Sequence, residues 1–231
     1  PARVSVDARL PGSLEIIAAL TGTTVVGNFR QADIALGNEG APITVHAMAR
    51  LFGHSRQSRL IVNVGGMANY FYFPPGSDPS VILAADTGPG NVLSDLLCQH
   101  LFKQKYDRDG SHARRGNISE RLYRSVFRRA SRSKSRSTGR EQFGEQVVGE
   151  LIKRGNALGL SKNDIIATAL DGTIRAVHER VRPMLAYDST LDKLYLTGGG
   201  VHNSFLVERL RQALLPCRVL SVSELGYDPD L

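Results

Sequence analysis

Three short apolar runs in this chain each end in a glycine-rich turn, and helical segments follow two of those turns. The turns contain Gly65-Gly66, residues 86–91 and Gly198-Gly199-Gly200. Glycine lets the backbone approach a ligand closely, and free amide groups at the start of a helix favour an anion. The alternation of β-type runs with helical segments predicts an α/β protein, and three such turns in one chain indicate a phosphate-binding site.

Hydrophobic runs, caps and turn residues predict the elements along the chain. Helices are expected over residues 11–20, 42–52, 92–103, 119–130, 141–153 and 203–215, with a long helix that is capped at 161–164 and runs to about residue 182. Strands are expected over residues 23–26, 60–64, 70–73, 81–85 and 194–196. The second and third strands form a hairpin with a glycine tip, and the fourth is apolar throughout, as buried strands are. Residues 33–40 form a polar connection, and residues 53–59 are the best candidate for a linker.

The net charge of +7, from 29 basic and 22 acidic residues, suggests an anionic partner such as nucleic acid or a membrane surface. However, residues 121–140 hold eight basic residues and no acidic one, so the remaining 211 residues carry a net charge of −1. The arginine–serine run at 128–137 could bind nucleic-acid phosphates, but it lacks interleaved aromatic residues. A solvated insertion is the favoured interpretation, and a nucleic-acid partner is disfavoured.

Several classes of protein lose support from the sequence. Cys98 and Cys217 lie far apart in apolar stretches, so buried free thiols in a reducing, cytoplasmic compartment are expected, and no residue is assigned as a metal ligand. No apolar run approaches the ~18–20 residues that a membrane span needs. The chain has neither a GxSxG nor a GxxxxGK[ST] motif, which disfavours serine hydrolases and Walker-type ATPases. Both ends look cut from a longer chain.

Asp86 is the most informative candidate residue. It lies at the carboxyl end of a predicted buried strand and beside the start of a helix, where ligands of open α/β sheets gather. A carboxylate at such a point can act as a general base or hold a metal, but Asp86 can equally well cap the following turn. Pro89-Gly90 fits the central positions of a type II turn, in which glycine takes a positive φ.

The other polar and glycine clusters each admit two interpretations. Residues 198–200 could wrap a flat ligand or form a tight turn with Asn203 as the helix cap. Gly65-Gly66, flanked by Asn63 and Asn69, is ambiguous in the same way. Arg140 and its neighbours suit a carboxylate or sugar hydroxyls, and they also suit a helix start.

Taken together, the motifs resemble a known family. Six of them occur in the order seen in anhydro-N-acetylmuramic acid kinases, and the resemblance covers nearly the whole chain: Gly40-Ala-Pro42, Asn63-Val-Gly-Gly-Met-Ala-Asn69, Asp86-Thr-Gly-Pro-Gly-Asn91, Tyr106-Asp-Arg-Asp-Gly110, Ser137-Thr-Gly-Arg-Glu141 and Thr197-Gly-Gly-Gly-Val-His-Asn203. The resemblance implies the two-domain fold of actin, sugar kinases and heat-shock chaperones, with residues 1–58 as the remainder of an incomplete first domain and residues 59–231 as the second.

The resemblance also implies an activity. Members of the family open the anhydro bridge of 1,6-anhydro-N-acetylmuramic acid with water and phosphorylate the freed oxygen, which yields N-acetylmuramic acid 6-phosphate in cell-wall recycling. ATP and Mg²⁺ are the implied cofactors and the amino sugar is the implied substrate. The resemblance also implies that the enzyme is cytoplasmic and forms a homodimer. It implies no membrane partner.

By motif match, each candidate residue acquires an implied role. Asp86 would be the general base that activates the attacking water. ATP would contact the phosphate motif and the adenosine loop of the family. The matching residues here are Gly65, Gly66, Asn69, Gly88, Gly198, Gly199, Gly200 and Asn203. Arg30, Gly40 and Arg140 would contact the sugar.

The chain departs from the family pattern at three places. The first phosphate loop, a GTSxDG-type segment, and the C-terminal helix with a sugar-contacting glutamate are both absent from this sequence. The Asp-Phe-Arg of the family reads Asn28-Phe29-Arg30 here, so a neutral amide replaces a carboxylate. We therefore expect the 231-residue chain alone to bind ATP poorly and to turn over little or no substrate. A catalytically inactive member that serves as a binding or scaffold protein is the alternative.

Overall fold

The computed structural model describes residues 13–37, 40, 43–76, 81–130 and 143–230. The chain divides into two compact units, residues 1–43 and 44–231. The domain boundary expected between residues 58 and 59 stays a prediction, because a compact unit is not the same as a domain of the complete fold. Among the described residues, no helix has both the length and the apolar character that a membrane crossing requires.

The first unit contains two short helices. The helix α1 (Leu14–Thr21) begins where the Ser13 hydroxyl accepts a hydrogen bond from the Ile16 N–H, and it ends close to its predicted end, with Gly22 in the left-handed conformation. The helix α2 (Gln31–Ala35) was not predicted and overlaps the start of the expected polar connection at 33–40. The strand expected at 23–26 is wrong: these residues pair with no strand among the described residues, and a strand requires such a partner.

The second unit contains a five-stranded mixed sheet. Its strands are β1 (Arg59–Val64), β2 (Met67–Phe73), β3 (Leu83–Pro89), β4 (Lys193–Thr197) and β5 (Arg218–Ser221), in the order β3-β2-β1-β4-β5. The first three form an antiparallel meander, whereas β4 is parallel to both β1 and β5. The hairpin predicted at Gly65-Gly66 and the α/β class are therefore confirmed.

The sequence predicts six helices of the second unit. They are α3 (Val45–Phe52), α4 (Val92–Phe102), α5 (Glu120–Ala130), α6 (Glu145–Ala157), α7 (Lys162–Tyr187) and α8 (Ser204–Ala213). Of these, α6 begins and ends four residues later than expected, and α7 runs about five residues further. Ser161 and Asp164 form a capping box at the start of α7, and Asn203 caps α8 by accepting a hydrogen bond from the Leu206 N–H. These caps confirm the predicted helix starts, because cap chemistry depends only on residues within one turn.

Apolar cores cover both faces of the sheet. The larger core packs Leu60, Val62 and Val64 of β1 against helices that include α7, whose Ile166 is fully buried. The smaller core holds Ile61 of β1 together with other buried residues of the opposite face, among them Phe52, Phe71, Phe73 and Val222. The alternation of residues 60–64 between the two cores follows from the period of two along a strand.

The strand β3 differs from its prediction in two respects. It is an edge strand whose Leu83 is about half exposed, so the expectation of a fully buried strand is wrong; an apolar run does not reveal where a strand lies in its sheet. The type II turn at Pro89-Gly90 is wrong as well, because Gly88 rather than Gly90 has a positive φ, of 142°. Pro89 is instead the last residue of the strand and lies opposite Met67.

Candidate active site

The hairpin between β1 and β2 is joined to the start of α4 by backbone hydrogen bonds. The Gly66 carbonyl oxygen accepts from the N–H groups of Gly90 and Val92 at 3.0 Å each, and the Gly65 carbonyl oxygen accepts from Asn91 N–H at 2.8 Å. The Asn91 side-chain amide adds a hydrogen bond to the Val64 carbonyl oxygen at 3.1 Å. The structure therefore brings two of the three predicted glycine turns into direct contact.

Gly90 is required at this junction by close packing. A Cβ at position 90 would lie 2.2 Å from the Gly65 carbonyl oxygen, which no real side chain tolerates. The Gly90 carbonyl oxygen in turn accepts a hydrogen bond from the buried Thr173 hydroxyl of α7 at 3.1 Å. This hydrogen bond fixes the turn at Gly90 to helix α7.

The third glycine turn follows β4 and lies against β1. Gly198 has a φ of 81°, and a Cβ there would meet Asn63 Oδ1 at 2.3 Å. The Pro229 carbonyl oxygen accepts from the Gly198 N–H at 2.6 Å and from the Thr197 hydroxyl at 2.7 Å. The turn is therefore held between β1 and the chain near residue 229.

Four polar residues lie side by side across the sheet. Thr197 is in register with Asn63, Asn63 with Asn69, and Asn69 with Asp86. Residues in direct register share a face of the sheet, so these side chains form one row at the end of the sheet where β1 and β4 terminate. This row contains the predicted general base, Asp86, and one predicted nucleotide residue, Asn69.

A β-bulge interrupts the pairing of β2 with β3 beside this row. Ala68 is in register with Gly88 and Asn69 with Asp86, which leaves Thr87 as the extra residue. The Thr87 hydroxyl and the Asn69 Oδ1 are buried, and neither has a hydrogen-bond partner among the described residues. Buried polar atoms without partners are rare and are typical of places where a ligand supplies the missing bond.

A cavity of about 560 Å³ opens next to the glycine turns. Two predicted nucleotide residues, Gly199 and Asn203, line it together with Asn91, Ser94, Asp95, His202 and residues 106–109. Its size is within the range of small-molecule pockets. The other predicted nucleotide residues (Gly65, Gly66, Asn69, Gly88, Gly198 and Gly200) do not line this cavity but form the adjoining turns and strand ends.

One wall of the cavity consists of acidic residues that sequence reasoning did not assign to the site. Burial, together with the negative charge of Asp107, raises the pKa of Asp95 to about 6. Asp107 is itself buried, and its carboxylate accepts from the N–H groups of His112 at 2.9 Å and Ala113 at 3.0 Å. The only sequence signal was the motif at 106–110, which belongs to the family pattern but carried no predicted role.

This wall is tied directly to the third glycine turn. The Asp109 carboxylate accepts from the Ser204 N–H at 3.0 Å, and a hydrogen bond from Ser204 lowers the pKa of Asp109. Gly110 has a φ of 67°, and a Cβ there would lie 2.5 Å from Asn203 Oδ1. The loop at 106–110 therefore packs against the start of α8.

Two of the three predicted sugar residues contact each other in the first unit. The Arg30 guanidinium donates to the Gly40 carbonyl oxygen at 2.8 Å. Gly40 is buried with a φ of 66°, and Asn28, which replaces the family's aspartate, has a φ of 59°, a conformation that asparagine adopts more readily than most residues. The third sugar residue, Arg140, lies outside the described residues.

No group of three or more His, Cys, Asp or Glu side chains could hold a metal ion within the part of the chain that the structure describes. Cys98 and Cys217 are buried free thiols, as expected. Burial raises the pKa of each thiol to about 11. Neither cysteine is therefore a nucleophile near neutral pH.

Comparisons with known proteins show which family the chain is similar to. A family model described as anhydro-N-acetylmuramic acid kinase matches residues 8–231. The protein named anhydro-N-acetylmuramic acid kinase from Salinibacter ruber is 36% identical over 224 residues, which cover 95% of this chain and 56% of that protein. Its namesake from Bacillus thuringiensis subsp. konkukian is 35% identical, covering 96% of this chain and 60% of that protein.

Among solved structures, the activator of the 2-hydroxyisocaproyl-CoA dehydratase from Clostridium difficile with bound ADPNP is similar with a TM-score of 0.46 and 16% identity, covering 78% of this chain and 59% of that chain. The chain spans about 60% of the length of the curated relatives it matches. The match over residues 8–231 confirms the resemblance first seen in the six motifs: the chain belongs to the anhydro-N-acetylmuramic acid kinase family.

Proposed function

We propose that this chain provides the second-domain half of the active site of an ATP-dependent kinase of 1,6-anhydro-N-acetylmuramic acid. Water opens the anhydro bridge and the freed oxygen takes the γ-phosphoryl group of ATP, which gives N-acetylmuramic acid 6-phosphate for cell-wall recycling. Membership of the family supports the proposal. The observation that carries it is the assembly of Asp86, Asn69 and three glycine turns at one end of the sheet.

Asp86 is proposed as the general base. It is half-buried near the end of β3, within the polar row, where a carboxylate can accept the proton of a water molecule. The water oxygen bonds to the anomeric carbon as the bond from that carbon to the bridging oxygen breaks. The bridging oxygen then bonds to the γ-phosphorus as the bond to the β-phosphate oxygen breaks, and Asp86 holds the proton lost by the water.

The phosphate end of ATP is proposed to lie at the two joined turns. Gly65, Gly66 and Gly88 present backbone without a Cβ, and the buried Asn69 Oδ1 and Thr87 hydroxyl have unused hydrogen-bonding capacity within the described chain. Oxygen atoms of this kind fit Mg²⁺ and its water shell. When bound, Mg²⁺ would neutralise charge on the phosphates, and Asn69 and Asp86 are the residues that would face its shell.

The nucleoside end is proposed to occupy the 560 Å³ cavity. Gly198, Gly199 and Gly200 bring the backbone to its edge, and Gly200 is buried against Val64, which leaves no room for a Cβ. Asn203 Oδ1 is already used as the α8 cap. Asn203 therefore acts by fixing the start of α8 at the cavity, and its Oδ1 is not offered to the adenine ring of ATP.

The sugar is proposed to contact Arg30, Gly40 and Arg140. A guanidinium group matches a carboxylate in bidentate geometry, and the lactyl group of muramic acid supplies one. The hydrogen bond from Arg30 to the Gly40 carbonyl oxygen limits the conformations of the guanidinium. We further propose a cytoplasmic enzyme and a homodimer; the buried free thiols fit a reducing compartment.

The decisive experiment compares wild type with Asp86→Asn in the full-length product of the gene. Nucleotide affinity, measured by calorimetry, is expected to be nearly equal, because the base acts on water and not on ATP. Phosphorylation of the anhydro sugar is expected to be lost. Substantial turnover by Asp86→Asn would overturn the assignment of the base.

A second measurement addresses the 231-residue chain itself. We expect weak ATP binding and little or no ATP consumption that depends on the anhydro sugar, because the chain spans about 60% of the length of its relatives. Full sugar-dependent turnover by this chain would contradict that expectation. Binding of the sugar without turnover in the full-length product would instead favour an inactive member with a binding or scaffold role.

A further inference from the structure

A second cleft lies on the other side of the loop at 106–110, and its lining is basic. Its volume is about 640 Å³, and the cationic residues Lys105, Arg108 and Arg115 line it with Ser111 and His112. Among the described residues, no carboxylate lines this cleft. We call it the basic cleft.

The three cations of the basic cleft have exposed side chains that make no ion pair with any carboxylate among the described residues. Some other arginines of the second unit are paired: Arg114 binds Glu208 at 2.8 Å, and Arg175 binds Glu120 at 2.8 Å. Like charges gathered in a concave surface raise its positive potential and attract an anion.

The two acids of the loop do not line the basic cleft: the Asp107 side chain is buried, and the exposed Asp109 side chain lines the nucleoside cavity instead. The Asp107 carboxylate accepts hydrogen bonds from the His112 and Ala113 N–H groups and from the Ser111 hydroxyl. The Asp109 carboxylate accepts from the Ser204 N–H. Asp107 and Asp109 therefore hold the loop in place through hydrogen bonds, whereas the side chain of Arg108 between them is exposed in the cleft.

The cleft is also held in shape by its own contacts. The His112 ring stacks on Phe102 with 3.7 Å between ring centroids, and a hydrogen bond of 3.0 Å joins His112 Nε2 to Gln104 Oε1. Ala113 is fully buried in the core of the unit. A fixed loop lowers the entropic cost of binding, since only the long cationic side chains remain to be ordered.

We propose that the basic cleft binds a small anion that carries two or more phosphate groups, at one site per chain. Arg108 and Arg115 offer planar forks that match phosphate oxygens, and Lys105 offers a point charge. This site is separate from the glycine turns, although Tyr106 and Arg108 also line the nucleoside cavity. A bound anion would therefore fix two side chains that the nucleoside cavity shares.

The test is calorimetric titration of the 231-residue chain with inorganic pyrophosphate at low ionic strength. We expect saturable binding at one site per chain, weakened roughly fivefold by Lys105→Gln and by Arg115→Gln, because each removes one charge-assisted contact. Arg218→Gln is the matched control: it removes the same charge from an exposed position on β5 outside the cleft. Circular dichroism confirms that the variants fold.

Three results would overturn the proposal. One is the absence of saturable pyrophosphate binding. Another is a failure of the cleft variants to stand out from the control. Equal weakening by Arg218→Gln and Arg115→Gln would mean that binding responds only to net charge. No weakening by Lys105→Gln and Arg115→Gln would mean that pyrophosphate binds at the glycine turns. The third is binding of single-stranded RNA that pyrophosphate does not displace, if the cleft variants weaken RNA binding but leave pyrophosphate binding unchanged.

Discussion

Asn69 and Asp86 occupy directly opposite positions on β2 and β3, immediately next to the bulge at Thr87. Opposite side chains in an antiparallel pair are neighbours on the same face, so the residue at position 69 sets the polar surroundings of the Asp86 carboxylate. Because the Asn69 Oδ1 is buried and has no partner among the described residues, it has unused hydrogen-bonding capacity beside Asp86. This pair is the centre of the candidate active site.

Asn69→Asp in the full-length product of the gene places a second carboxylate opposite Asp86. Like charges that face each other disfavour ionisation of the pair, so we expect the acidic limb of kcat/KM against pH to move upward by about one unit. Asn69→Ser adds no charge and is expected to leave that limb in place. An unmoved limb in Asn69→Asp would argue against Asp86 as the base.

Thr87→Val is expected to leave stability unchanged or to raise the free energy of unfolding by about 1 kcal/mol, because it removes a buried hydroxyl that has no partner among the described residues. Thr173→Val is the matched comparison, since its hydroxyl donates to the Gly90 carbonyl oxygen at 3.1 Å. We expect that variant to lose about 1–2 kcal/mol. Urea unfolding of both variants checks the difference, and equal losses would show that Thr87 has a hydrogen bond after all.

Gly90→Ala forces a Cβ to within 2.2 Å of the Gly65 carbonyl oxygen. The two turns must separate, and we expect the free energy of unfolding to fall by about 2–3 kcal/mol. Gly149→Ala in α6 is the control, because a Cβ there meets nothing within 4 Å. That change is expected to stabilise the protein by about 0.5–1 kcal/mol, so thermal melts should move in opposite directions.

Asp95→Asn tests the acidic wall of the nucleoside cavity. Burial and the charge of Asp107 raise the pKa of Asp95 from 3.8 to about 6, so the folded protein holds this proton more tightly than the unfolded chain does. Ionisation of Asp95 therefore destabilises the fold: the penalty is absent below about pH 4, grows as the pH rises, and is complete above about pH 6.

We expect Asp95→Asn to raise the free energy of unfolding by about 1–2 kcal/mol at pH 8 and by almost nothing at pH 4. Urea titrations at pH 4, 6 and 8 provide the measurement. A gain that is the same at all three values would mean that Asp95 is not the titrating group.

Features that depend on neighbouring residues were predictable. The Ser161 and Asn203 caps, the end of α1 and the Gly65-Gly66 hairpin all appear close to where the sequence places them. Each depends on hydrogen bonds or backbone preferences within a few residues, so the local pattern contains all the required information.

Features that depend on long-range packing were not predictable. The edge position of β3, the bulge at Thr87 and the need for glycine at position 90 follow from strand order and register. The acidic wall was missed because the bond between Asp109 and Ser204 joins residues 95 positions apart. The packing of Phe52 of α3 into the smaller core of the second unit is likewise a contact that no local pattern indicates.

The division has one physical origin. Glycine turns, caps and helix starts are local, and with the six motifs they were sufficient to identify the family and to single out Asp86 and the turns as candidate site residues. Which glycine requires positive φ, which side chain faces Asp86 and which acids line the cavity depend on how distant strands and helices pack. These features are determined only when the strands and helices assemble, because the contacts that determine them join residues far apart in the sequence.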